Sequence, residues 1–142
     1  MRALLEGVKD KLEGKVGTWK AATGWNISIG NFPTTPDTAV GVMLGPSLPA
    51  NPKYLLDYPS VQILVRADTN GYAEGLDKIT LAKDILLGIA SQTVKGVRWV
   101  QVNMIGDINQ LGRDDKARPM FSANFQFIIE PPTNADTNRI PL

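Results

Sequence analysis

Acidic and basic side chains are most concentrated between residues 111 and 118, which contain Arg113, Asp114, Asp115, Lys116 and Arg118. Paired carboxylates can act as general acid and general base, but this requires acids whose surroundings separate their pKa values. Adjacent acids among cations more simply form a solvated, salt-bridged turn. A charged loop mounted on a strong strand is also a natural contact surface. We therefore predict that this stretch contacts a partner, with a solvated turn as the alternative.

A calcium-binding loop is only weakly indicated in the same region. Asp107 and Asn109 place oxygens at the first and third positions of such a loop, and Gly112 falls at its sixth. The fifth position is Leu111, and the twelfth is Arg118 where a bidentate Glu is needed. The pattern therefore does not predict a metal site.

The composition removes most other catalytic chemistry. The 142 residues include no His and no Cys, so the commonest general base at neutral pH and the commonest metal ligand are missing, as are disulfides and thiolates. No phosphate-binding loop and no nucleophile elbow occurs. We predict no catalytic residue, no cofactor and no metal, and hence a protein that is not an enzyme.

The net charge limits the possible partners, and the chain length limits the number of domains. The net charge is +1, which gives no strong electrostatic footprint for nucleic acid or anionic lipid. No apolar run approaches the ~18 residues of a membrane span. We expect one domain over residues 1–130 and an extended tail over residues 131–142, which is polar and lacks periodicity.

Two amphipathic helices are predicted from apolar residues at helical spacing. The first covers residues 2–13, with a stripe formed by Leu4, Leu5, Val8 and Leu12. The second covers residues 72–93, with a stripe formed by Leu76, Ile79, Ala82, Leu86 and Ile89. Lys95 and Gly96 are expected to end it.

Alternating apolar residues predict five strands, at residues 25–32, 38–44, 61–67, 97–105 and 119–130. The first two are expected to form a hairpin with residues 31–37 as its turn, and residues 106–118 a loop. The last strand carries the strongest core face, formed by Phe121, Ala123, Phe125, Phe127 and Ile129.

In the strand at residues 97–105 we assign Val100, Val102 and Met104 to the core. Trp99 then lies on the opposite face, where an exposed Trp is a candidate interface anchor. The alternative is a side chain lying flat on a neighbouring Arg stem.

The element order α-β-β-β-α-β-β predicts an α+β fold. We expect a two-layer sandwich in which both helices cover one face of a five-stranded, mainly antiparallel sheet. The other face is then either solvated or covered by another copy.

The long proline-rich loop at residues 45–60 is a second candidate contact surface. Its prolines prevent a continuous strand, and long loops in compact domains are often functional. Its apolar residues either fold back on the domain or reach a neighbouring subunit. We select as interface candidates Tyr54, Leu55, Leu56 and Tyr58.

A family resemblance favours the second of these outcomes. Residues 58–66, Tyr-Pro-Ser-Val-Gln-Ile-Leu-Val-Arg, precede a helix, then Leu111-Gly-Arg-Asp, Arg118 and residues 121–125, Phe-Ser-Ala-Asn-Phe. This series resembles the minor capsid and tail-terminator proteins of tailed bacteriophages, over roughly residues 58–130. The resemblance implies an α+β fold and a ring, with about six copies, at the head–tail junction of a virion assembled in the host cytoplasm.

The same resemblance implies the partners of the ring. It would cap the tail tube protein and dock to the head connector, while DNA passes through without sequence-specific binding. Arg113 and Arg118 could then pair with acids of the next subunit or of the tail tube. A neighbouring head-completion, connector or minor capsid role in the same particle is the main alternative.

Two alternative functions, outside the class of structural virion proteins, remain. A monomeric adaptor could bind one peptide or strand at a sheet edge, and an unpaired edge strand would favour it. A small carboxylate-dependent enzyme would need a deep pocket with two converging carboxylates.

Overall fold

The computed structural model describes residues 1–14 and 25–142, which form two helices and six strands. In chain order these are α1 (Arg2–Glu13), β1 (Ile27–Ile29), β2 (Ala39–Leu44), β3 (Ser60–Arg66), α2 (Tyr72–Leu86), β4 (Ala90–Val94), β5 (Val97–Arg113) and β6 (Pro119–Glu130). The strands form one sheet in the order β1-β2-β3-β6-β5-β4. All neighbours pair antiparallel except β1 and β2.

Helix α1 packs on the concave face of a curled sheet. It contacts β1 and β2 at one end of the sheet. At the other end, a Cβ on Gly7 would lie 2.8 Å from a methyl of Val94 and 3.0 Å from the ring of Trp99. The absence of a side chain at Gly7 therefore allows this close approach. The predicted α+β class with two helices is confirmed, but the sheet is a six-stranded half-barrel rather than the five-stranded sheet of a two-layer sandwich.

The core is centred on β6, as its alternating pattern predicted. Phe121, Ala123, Phe125, Phe127 and Ile129 are all buried. Helix α2 packs on β6 and β3, and also contacts α1. Full burial of each aromatic side chain contributes roughly 1.5–3 kcal/mol, so this face supplies much of the fold's hydrophobic stabilisation.

The sixth strand was missed because helical spacing continues past the end of α2. The helix ends at Leu86 rather than at residue 93, and Gly88 has φ +88°. Residues Ala90–Val94 then form β4. Lys95 and Gly96 have φ values of +50° and +77°. These values suit the two central residues of a tight hairpin turn, so the pair connects β4 to β5 rather than ending a helix.

The prediction that the first two strands form a hairpin is wrong. Strand β1 pairs parallel with β2, with Ile27 opposite Val40. Residues 30–38 therefore run back along the molecule instead of making a tight turn. Arginine side chains from elsewhere in the sheet hold this connection, which a local sequence pattern does not reveal.

Strand β5 is longer than predicted. It continues to Arg113 and pairs with β6 as far as Pro119, so the loop predicted at residues 106–118 shrinks to residues 114–118. The register with β6 shifts between Ile105 and Asn109, and again between Gln110 and Gly112. Such bulges break the strict alternation of side chains, and this is why the pattern ended early.

Trp99 is buried within its own chain, so the prediction that it is exposed is wrong. Its exposed fraction is 0%, and its ring packs edge-to-face on Phe127 with 5.0 Å between ring centroids. A register shift between Trp99 and Gln101 changes which side chains face inward. Val102 is therefore also buried, while Val100 is half-buried.

Candidate assembly surfaces

The proline-rich loop ends at residue 59, because Ser60 begins β3, and it folds as an irregular hairpin against β6. Leu48 pairs with Tyr58, and the Asn51 amide donates to the Leu56 carbonyl at 2.9 Å. At its base, Asp57 and Ile129 exchange two backbone hydrogen bonds of 2.9 and 3.0 Å. The backbone of this loop is thus held by hydrogen bonds despite its prolines.

The tail (residues 131–142) lies on the proline-rich loop. The Ile140 amide donates to the Lys53 carbonyl at 2.8 Å, and the Ile140 carbonyl accepts from the Leu55 amide at 2.9 Å. Arg139 Nη1 is 2.6 Å from the carboxylate of Asp57. Hydrogen bonding to Asp57 raises the pKa of Arg139 above its usual value, although burial opposes the charge. This ion pair therefore fixes the tail on the loop.

The side chains of the proline-rich loop are not equally available to a partner. Leu55 is buried, whereas Tyr54, Leu56 and Tyr58 are half-buried. The most exposed large apolar side chain of the loop is Leu48, at 58%. It lies between prolines in the sequence and was not among the predicted interface residues, because a single Leu among prolines has no periodicity that would indicate its exposure.

Arg118 is an internal anchor rather than a free cation. Only 3% of its surface is exposed, and it contacts the carboxylates of Asp114 at 2.8 Å and Asp37 at 3.2 Å. It also donates to the carbonyl of Thr34 at 2.8 Å. Burial lowers the pKa of Arg118, but the bonds to the two acids outweigh this and raise it.

Arg66 completes this cluster, although no local sequence pattern indicates its role. It is buried and donates to the carbonyls of Pro36 at 2.7 Å and Asp37 at 2.9 Å. Its guanidinium also lies 5.0 Å from the centroid of the Phe32 ring. Burial, followed by repulsion from Arg118, lowers the pKa of Arg66. Together, Arg66 and Arg118 fasten the connection at residues 30–38 to the sheet.

Asp114 and Asp115 lie in different environments. Asp114 accepts from the amide and the guanidinium of Arg118 at 2.9 and 2.8 Å. Burial raises the pKa of Asp114, but hydrogen bonds from Arg118 and the Lys116 amide outweigh this and lower it. Asp115 is exposed. The two acids therefore support a turn, as the local sequence favoured, with Asp114 inside it.

The remaining part of the turn between β5 and β6 faces solvent. Arg113 donates to the carbonyls of Thr69 at 2.8 Å and Ala117 at 2.6 Å. Among the described residues it has no carboxylate partner. Leu111 is exposed, as are Asp115 and Lys116. This end of the molecule thus offers charged groups beside one apolar side chain.

The outer, convex face of the sheet carries a shallow groove of about 290 Å³. Its lining residues are Pro46, Ser60, Ile105 and Asn124. Ile105 is 48% exposed, although it is an aliphatic strand residue. The hydroxyl of Ser60 is buried and has no hydrogen-bond partner within residues 1–14 and 25–142.

Within the described residues, no three acidic, His or Cys side chains converge in a way that could hold a metal ion. Residues 107–113 lie in strand β5, so the weak calcium-loop pattern does not form a loop. No helix in the described part of the chain is both long enough and apolar enough to cross a membrane.

Comparison with known proteins connects this fold to a virion. The profile of a family described as "Bacteriophage tail terminator protein" matches residues 11–131. A chain from a structure entitled "Virion of native gene transfer agent (GTA) particle" has a similar fold, with a TM-score of 0.67 and 21% identity. The match covers 91% of this chain and 96% of that one. No curated protein matches the sequence.

The family profile spans most of the chain, including both predicted contact surfaces and the strands that carry them. The resemblance inferred from residues 58–130 is confirmed. This chain belongs to the bacteriophage tail terminator family and is a structural protein of the virion.

Proposed function

We propose that this chain assembles into a ring, with about six copies, that ends the tail tube and joins it to the head connector. Phage DNA passes through the ring without being read in a sequence-specific way. A net charge of +1 suits this passage, because it provides no strongly basic surface.

The main support for this proposal is that apolar side chains are exposed at two separate places on the chain. Leu48 lies on the proline-rich loop, and Leu111 lies on β5 near the opposite end of the sheet. A cyclic assembly uses heterologous contacts, in which one patch meets a different patch on the next copy. Two distinct patches on one chain are what such a contact requires.

The predicted interface residues divide into two groups. Tyr54, Leu56, Tyr58, Arg113 and Asp115 retain exposed surface, and we propose that they contact a neighbouring copy or a tail component. Leu55 and Trp99 are buried within the chain, and Asp114 and Arg118 are bonded to each other. We propose that Asp114 and Arg118 support the contact surface, because they hold the turn that carries Arg113 and Asp115.

Electron microscopy of tail tubes tests this function. Purified tubes that lack a terminator are incubated with the protein, and the density at their ends is averaged. We expect a ring at one end and no further addition of tube protein to that end. A protein that leaves the tube ends bare and their growth unchanged would contradict the proposal.

The same particle offers a second location for this chain. A head-completion, connector or minor capsid role would place it above the tail tube, in contact with the head. A reconstruction of whole particles distinguishes these locations, since a terminator lies directly on the last ring of tube protein.

A further inference from the structure

We infer that the outer-face groove receives Leu111 from a neighbouring copy of this chain. This inference deepens the proposed ring function and rests on it. It assigns the two sides of the contact: a groove lined by Pro46, Ser60, Ile105 and Asn124, and a projecting segment centred on Leu111.

The groove has both the size and the chemistry for an aliphatic side chain and its backbone. A cavity of about 150 Å³ already admits a small apolar ligand, and this groove measures about 290 Å³. Pro46 and Ile105 provide apolar walls, and the half-buried Asn124 provides amide groups. Ser60 is only 1% exposed, so it forms part of the floor of the groove and offers no accessible hydroxyl to an incoming group.

Leu111 is presented outward by the local strand geometry. The register of β5 with β6 passes from Gln110 to Gly112, so Leu111 has no opposite residue on β6. A residue at such a bulge is left out of the ladder, which leaves its backbone available for other pairing. Its side chain is 47% exposed. An apolar side chain and a free backbone position are the groups that the groove can bind.

The two surfaces also carry complementary charges beyond their apolar parts. Asp115 follows Leu111 at the tip of the β5–β6 turn and is exposed. Lys53 is exposed near the tip of the proline-rich loop, whose base includes Pro46. Neither charge belongs to an ion pair formed among residues 1–14 and 25–142. Asp115 and Lys53 therefore place opposite charges beside the two surfaces, and we expect these charges to attract each other when two copies meet.

Leu111 cannot reach the groove of its own chain. Ile105 lies opposite Asn124 on β6, whereas the neighbours of Leu111 lie opposite Phe121 and Met120, so about three to four strand positions, or roughly 12 Å, separate the two residues. The groove and the projecting segment are therefore different patches of one rigid sheet. Their contact is heterologous, and repetition around an axis closes a ring.

Mixing two variants provides the sharpest test. Leu111→Asp disables the projecting segment, and Ile105→Asp disables the groove. Sedimentation should show each variant as a monomer, whereas a 1:1 mixture should form dimers through the one pair of intact surfaces. Leu142→Asp is the matched control, because it adds an acid at another exposed apolar position. Circular dichroism and thermal unfolding establish that each variant is folded.

A charge exchange provides an independent measurement. Lys53→Asp and Asp115→Lys should each weaken self-association by roughly tenfold. The chain carrying both substitutions should regain most of the affinity, because the pair is restored with its signs reversed. Lys9→Asp serves as a control at a half-buried position on α1, away from both surfaces.

The outcomes separate this inference from the proposed function. If Leu111→Asp or Ile105→Asp retains the mass of the wild-type oligomer, or if the mixture forms no dimer, the groove contact is wrong while ring formation stands. If the wild-type chain is monomeric both in solution and on tube ends, both proposals are overturned.

Discussion

Two regions of this protein use an arginine–aspartate contact to hold irregular backbone, but they differ in burial. At the β5–β6 turn, Arg118 is almost fully buried and contacts both Asp114 and Asp37. At the proline-rich loop, Arg139 contacts Asp57 with about a quarter of its side chain exposed. Burial strengthens a satisfied charge contact and raises the penalty for breaking it. The turn should therefore be rigid, and the tail should open more easily.

The largest expected effect comes from removing the second arginine of the buried cluster. Arg66→Ala deletes two hydrogen bonds to the carbonyls of Pro36 and Asp37. We expect the free energy of unfolding to fall by about 3 kcal/mol, because these carbonyls and the nearby acids lose a buried cationic partner. Urea unfolding followed by circular dichroism measures the change.

Arg113→Ala is the matched control for Arg66→Ala. Arg113 also donates to two carbonyls, but it is exposed. Its removal should change the free energy of unfolding by less than about 1 kcal/mol. Equal losses for the two variants would contradict the role assigned to burial.

The second prediction concerns acid sensitivity of the turn. The pKa of Asp114 is lowered in the folded state, so its contribution to stability is complete above the unfolded pKa of about 3.9. That contribution is lost as the pH falls through the lower folded pKa. The wild-type protein should therefore lose stability steeply below about pH 4.

Asp114→Asn should show a shallower pH dependence of unfolding, since it removes one carboxylate that binds protons more tightly when unfolded. Thermal unfolding between pH 3 and pH 7 compares the two proteins. Asp115→Asn is the control, because Asp115 is exposed beside the same turn. An identical slope for wild type and Asp114→Asn would argue against the assigned ion pair.

The third prediction concerns local opening of the tail rather than unfolding of the whole protein. Arg139→Ala should loosen the tail on the proline-rich loop, because the tail loses its ion pair with Asp57 and keeps the two backbone hydrogen bonds of Ile140. The sheet should stay intact, since these contacts lie outside its strands. Hydrogen exchange at the Ile140 amide should accelerate by roughly tenfold or more. Exchange at β6 amides serves as the internal reference. Global destabilisation of β6 by this substitution would contradict the comparison.

The smallest expected effect is at an exposed pair. Lys95 and Asp10 lie 3.2 Å apart, and about half of each side chain is exposed. Lys95→Ala should change the free energy of unfolding by about 0.5 kcal/mol or less. A larger loss in urea unfolding would show that this contact joins α1 to the β4–β5 hairpin more strongly than its exposure indicates.

Sequence patterns identified the elements with strong periodicity and failed where backbone conformation changed the period. The stripe of α1 and the inward face of β6 were predicted with their bounds. Helix α2 was extended too far because Ile89 continued its spacing, although Gly88 already has left-handed backbone. Trp99 was placed outward because an alternating count has no means of including the register shift next to it.

For the predicted contact surfaces too, the sequence indicated local features and missed those that depend on distant residues. The sequence indicated that the 111–118 stretch is a charged turn and that the proline-rich loop is irregular. It did not indicate that Arg118 points inward, since its partner Asp37 is distant in the sequence. Leu48 and Ile105 were also missed, because exposure of a single apolar residue depends on which loops cover it.

The sequence alone determined the fold class, the absence of His and Cys chemistry, and the family, since these depend on composition, periodicity and the order of short segments. The tertiary structure decided the curl of the sheet, the parallel pairing of β1 with β2, and which charges are internal. These properties depend on contacts between residues far apart in the chain, such as Arg118 with Asp37 and Arg139 with Asp57. Burial sets the strength of such contacts, and burial exists only once the chain has folded.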